Sequence, residues 1–117
     1  MELTIETIAE KLNSLYEEVV NQPVIYWVQN LRHPDYKLTA AISVVVQRDT
    51  NNQYVASYDD VDIYGCGEDV NAAIEDMLLC LVDYYESLVG EPDENLGPLP
   101  LQHKNFLQTL ISNATKV

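Results

Sequence analysis

An alternation constrains this chain most. From Tyr36 to Gln47, Tyr36, Leu38, Ala40, Ile42, Val44 and Val46 fall on one face, and Lys37, Thr39, Ala41, Ser43 and Gln47 fall on the other. A repeat of two residues belongs to a strand with one buried face, because a helix would need apolar groups every three or four positions. Val45 interrupts the polar face, which predicts partial cover there. The run Arg48-Asp49-Thr50-Asn51-Asn52 supplies side chains that tolerate tight turns. Gln53 to Tyr58 then reads as a second strand, so the pair predicts an antiparallel hairpin. Beyond an acidic turn, Val61 to Tyr64 alternate as a short third strand.

The period then changes. Gly65-Cys66-Gly67 is expected to end the sheet and turn the backbone tightly toward a helix. Asp69 is placed to cap that helix, which runs to about Val89. Val70, Ala73, Ile74, Met77, Leu78, Leu81, Tyr84, Tyr85 and Leu88 recur at helical spacing and form its apolar face. Leu79 and Val82 widen that face, which marks them as candidate oligomer contacts. Upstream, Ile5, Ile8, Leu12, Leu15 and Val19 predict an amphipathic helix over Thr4–Val20, and Pro23 to Leu31 reads as a further strand. The run Glu91-Pro92-Asp93-Glu94-Asn95-Leu96-Gly97-Pro98-Leu99-Pro100 predicts a linker, because Pro and Gly cannot continue a helix. A short final helix is expected over Gln102 to Asn113, presenting Phe106, Leu107, Leu110 and Ile111.

With 117 residues there is room for one core, and about two-thirds of the unfolded surface is buried on folding. The parts are an N-terminal helix (1–22), a sheet-plus-helix core (23–89), a Pro/Gly linker (90–101) and a C-terminal helical segment (102–117). Helix, strands, then helices predict an α+β fold with an antiparallel sheet of three to four strands. No long apolar run or charged leader suggests a membrane span or secretory signal, so a cytoplasmic protein is expected. Cys66 and Cys80 lack the spacing of a metal knuckle or redox pair, and are expected to be reduced.

Charge narrows the partners. Nineteen acids against six Lys and Arg leave −13. Such a surface repels nucleic-acid phosphates and anionic lipid headgroups and attracts a basic protein. No Lys or Arg occurs between Arg48 and Lys104. The densest acids are Asp59, Asp60 and Asp62. They could hold a divalent cation, but a metal nuclease needs further carboxylates and basic residues for phosphate, so a solvated turn is the better account. His33 and His103 have no metal-ligand spacing, and no nucleophile motif, phosphate loop or dinucleotide fingerprint occurs. No enzyme, cofactor or metal site is expected.

Thr39 to Leu88 resembles the HicB-like antitoxin family. Tyr54-Val55-Ala56-Ser57 matches the family's second strand, Asp60 the acid of its turn, Gly65 and Gly67 its glycines, and Ala73-Ile74 the start of its helix signature. Asp69 stands where a Thr cap is usual, Ala72 where the family has Glu, and Asp59 where it has Pro. The N-terminal helix is an addition to the common arrangement. The stretch after Pro100 is too short for the DNA-binding segment that many members carry. The resemblance implies an oligomeric sheet-and-helix domain, often compared to a reduced RNase H-like or double-stranded-RNA-binding-like fold. It also implies neutralisation of a small, basic, RNA-cleaving toxin by covering its active surface. On that reading, Asp59, Asp60 and Asp62 with Glu68, Glu75 and Asp76 compete with RNA for the toxin, and the chain forms a dimer or tetramer. The alternatives are an oligomeric regulatory module of the same fold without a toxin, and a secretion-type chaperone that binds an extended segment.

Overall fold

A computed structural model describes residues 22–49 and 51–114. The predicted helix over Thr4–Val20 lies outside the described residues. Six strands and two α-helices follow: β1 (Val24–Val28), β2 (Tyr36–Leu38), β3 (Ile42–Arg48), β4 (Tyr54–Tyr58), β5 (Ile63–Gly67), α1 (Val70–Val89), α2 (Pro98–Leu110) and β6 (Ile111–Asn113). A short 3-10 turn, Asp93–Asn95, lies between the helices. The fold is α+β. Four strands form an antiparallel sheet in the order β1-β3-β4-β5, and β2 and β6 form a separate antiparallel pair.

The alternation places the core. Ile42, Val44 and Val46 of β3 are buried with Ala56 and Tyr58 of β4 on the face toward α1, while Ser43 and Gln47 are exposed and Val45 is half-buried. Helix α1 covers this face, packing chiefly on β5, then β4, and least on β3. It buries Ile74, Met77, Leu78, Leu81, Val82 and Leu88, each worth roughly 1.5–3 kcal/mol relative to exposure. Its start is fixed as expected: Asp69 accepts the Ala72 N–H at 2.7 Å, satisfying one of the helix's free donors.

Gly65 and Gly67 serve a different purpose from the expected tight turn. Both lie within β5, and neither has a positive φ. What they supply is space. A Cβ on Gly65 would stand 2.1 Å from the Met77 backbone nitrogen, and one on Gly67 would stand 2.6 Å from the Ala72 Cβ. Helix and strand approach so closely that no side chain fits between them.

Three boundaries differ from the sequence reading. The single strand expected from Tyr36 is broken into β2 and β3, because β2 turns aside to pair with β6: Tyr36 faces Asn113, Lys37 faces Ser112 and Leu38 faces Ile111. The third strand begins at Ile63, and Val61 is buried in the turn before it. The last helix begins at Pro98 and ends at Leu110, so the expected linker donates its final residues to the helix. Pro98 and Pro100 stand in the first turn, where a backbone N–H has no intrahelical partner to lose. The connector before this helix is pinned by Lys104, whose buried ammonium donates to the Glu91 carbonyl at 2.8 Å and to Asp93 at 2.7 Å.

Gly65→Ala is expected to destabilise the fold by about 3 kcal/mol or more, since the clash is with backbone that cannot rotate away. A urea titration monitored by circular dichroism measures this. An unchanged midpoint would mean that α1 and β5 can separate without loss.

Candidate functional site

The turn between β4 and β5 carries the densest charge. Asp59 and Asp60 are exposed, Val61 anchors the turn in the core, and Asp62 is exposed with a φ of 57°. Asp is among the few residues other than Gly that adopt this left-handed conformation readily. Because α1 runs back along β5, the turn lies beside the last turns of α1 and beside α2. Asp60 and Asp62 line an open groove of about 490 Å³ with Leu99, Gln102, His103 and Phe106 of α2. Leu99 and Phe106 are exposed apolar groups. The groove therefore has an acidic wall and an apolar wall.

His103, one of the residues lining the groove, is held by a polar pair. The Tyr84 hydroxyl and His103 Nδ1 share a hydrogen bond of 2.7 Å, with the rings edge to face. Partial desolvation, then the nearby Asp62 carboxylate, raises the Tyr84 pKa above the ordinary tyrosine value. Burial, then the Asp60 carboxylate, raises that of Tyr58. Both phenols are held neutral, which leaves the negative charge of the turn on its aspartates.

The other acids expected at a partner surface are not brought to this groove. Glu68 stands at the opposite end of β5, just before α1. Glu75 faces Arg32 at 3.4 Å, and the same guanidinium donates to Asn71 at 2.8 Å. Asp76 accepts the Cys66 N–H at 2.9 Å, on the side of β5 that has no strand neighbour in the sheet. Among the described residues the ion pairs are Arg32–Glu75 and Lys104–Asp93, so Asp59, Asp60 and Asp62 are not neutralised within the described chain. Of the two widening positions on α1, Leu79 is 62% exposed and Val82 only 4%. Val82 is therefore a core residue, and only Leu79 offers surface to a second subunit.

Sequence reasoning missed Leu99, Gln102 and Phe106 as a surface. Their spacing of three and four was visible, but prolines at 98 and 100 made the first of them look like linker. Among the described residues no group of three or more His, Cys, Asp or Glu side chains is arranged to hold a metal ion. Cys66 and Cys80 are free. Partial desolvation, followed by Asp76 and Asp83, raises the Cys80 pKa and disfavours a reactive thiolate. Among the described residues no helix is long and apolar enough to cross a membrane. Comparison with protein-family models, curated proteins and solved structures found no match.

The raised tyrosines have a pH consequence. Above pH about 10 the unfolded chain releases phenolic protons that the fold retains, so stability falls as pH rises past that value and is untouched by these groups below it. The expected slope is about 1.4 kcal/mol per pH unit for a fully retained Tyr58 proton. Tyr58→Phe should flatten the alkaline limb in denaturant titrations between pH about 9 and 11. An identical limb in the variant would remove Tyr58 as its source.

Proposed function

We propose that this chain is a non-catalytic, cytoplasmic interaction module of the HicB-like antitoxin type, which captures a small basic RNA-cleaving protein and covers its RNA-binding surface. One observation carries the reading: an acidic turn, unpaired among the described residues, forms one wall of an open groove whose other wall exposes Leu99 and Phe106. A basic protein brought in by the charge of −13 finds carboxylates for its Lys and Arg and apolar surface for an anchor. Further support comes from the stretch that carries the family resemblance, which folds as the β3-β4-β5 meander crossed by α1. The acids of that surface narrow to Asp59, Asp60 and Asp62, since Glu75 and Asp76 already have partners and Glu68 is remote.

The first experiment is co-purification. The tagged chain, expressed with the reading frames that flank its gene, should retain a small basic polypeptide at low salt that is toxic when expressed alone. A preparation containing only this chain would favour an oligomeric regulatory module instead. If the polypeptide is captured, Asp59→Lys and Asp60→Lys combined with Asp62→Asn should slow its association by about tenfold or more at low salt, with the gap closing at high salt. Asn is chosen at 62 because it accepts the left-handed backbone. Unchanged association in stopped-flow or titration calorimetry would place the contact elsewhere.

A further inference from the structure

The two outer strands of the four-stranded sheet differ in a way the antitoxin reading does not use. At β5 the free side is occupied: the Asp76 carboxylate takes the Cys66 N–H, and its charge opposes the approach of another strand. At β1 no described residue pairs with the free side. Helix α1 packs chiefly on β5 and β4. Among the described residues β1 is therefore open on both faces from Val24 to Trp27, and only Val28, at its end, is buried in the core. Val24 is 50% exposed, Ile25 60%, Tyr26 36% and Trp27 71%. An apolar strand with both faces and one edge open is what native proteins ordinarily shield with charge, proline or cover.

The charge distribution says what covers it. From Val19 to Pro34 there is no acid, and the one Lys or Arg is Arg32, in a chain of net charge −13. A basic partner would find no carboxylate here, whereas a second copy of this chain would meet its like where their mutual repulsion is weakest. Pro23 precedes the strand and lacks an N–H, so it ends pairing at that boundary.

We propose that β1 is a homodimer interface, in which two β1 strands pair antiparallel about a two-fold axis at Tyr26 and join two four-stranded sheets into one of eight. This is the register that overlaps the whole strand. It sets Tyr26 against the partner's Tyr26, Val24 against the partner's Val28, and Ile25 against the partner's Trp27. The last is an aromatic–aliphatic cross-strand pair, made twice by symmetry, on the sheet face opposite α1. Both partners of every contact come from one sequence, as an isologous interface requires. The proposal is independent of the toxin, because it concerns the chain alone.

The test uses the full chain by itself. Light scattering on a sizing column should give the mass of two chains at tens of micromolar, or of four if a second contact also forms. Ile25→Glu and Trp27→Lys should each weaken association about tenfold or more. The double variant should recover it, because the carboxylate introduced at position 25 then faces the ammonium introduced at position 27 across the two-fold. Should these variants misfold, Tyr26→Cys in a Cys66→Ser/Cys80→Ser background tests the register in the otherwise native strand. It should oxidise to a covalent dimer, whereas Ile25→Cys in the same background should not. A wild-type mass of one chain, singles that associate like wild type, a folded double variant that stays apart, or equal cross-linking at 25 and 26 would each overturn the interface.

Discussion

The close approach of α1 to β5 decides how the rest of the sheet is covered. Gly65 and Gly67 remove the side chains that would hold helix and strand apart, and the helix lies nearly on the backbone of the sheet's edge. That position determines which strands are roofed. β5 and β4 are covered, β3 partly, and β1 is open on both faces from Val24 to Trp27 among the described residues, with Val28 alone buried. It also lets Asp76 reach the Cys66 N–H from above. One steric concession at two positions therefore covers one side of the sheet, occupies one edge and leaves the other edge open.

The same placement generates the groove. A helix that runs back along β5 delivers Tyr84 to the β4–β5 turn, and α2 then packs its own start beside that turn through His103. The acids at the turn are thereby set against apolar groups from a segment 39 residues further along, as Asp60 and Leu99 illustrate. Charge patterning along the sequence could single out the turn. It could not supply the opposite wall.

How far the fold was legible depended on how local its causes are. The alternation of β3, the turn acids and amides, the Asp69 cap and the apolar face of α1 were all readable, because each depends on near neighbours in sequence. The break between β2 and β3 was not, since its cause is pairing with β6 on the far side of α2. Ile111-Ser112-Asn113 continues a helical-looking run, and nothing in those three residues announces a strand. Gly65 and Gly67 stand out in the sequence as turn formers, but a sequence does not reveal how near a helix will pass, and that approach is what requires them. At the candidate site, Asp59, Asp60 and Asp62 were identified from their density. Glu75, Asp76 and Val82 were singled out by type or spacing, and tertiary contacts gave them other work: an ion pair, an edge hydrogen bond and a place in the core.

The pairing of β2 with β6 adds a constraint of time as well as of shape. Thr39 donates its N–H to the Leu110 carbonyl and its hydroxyl proton to that of Thr109, 70 positions away in the chain. Closing a loop of that length costs on the order of 4 kcal/mol in chain entropy, for a clasp of only three residue pairs. The β3-β4-β5 meander needs no such closure, because its turns join neighbouring strands. The meander and α1 can therefore assemble first, with β6 zipping onto β2 afterwards as a latch. Leu107 and Leu110 of α2 and Ile111 of β6 are buried in the same core as Met77 and Leu81. The last pairing to form therefore also seals the core, and opening it would expose apolar surface as well as break three residue pairs.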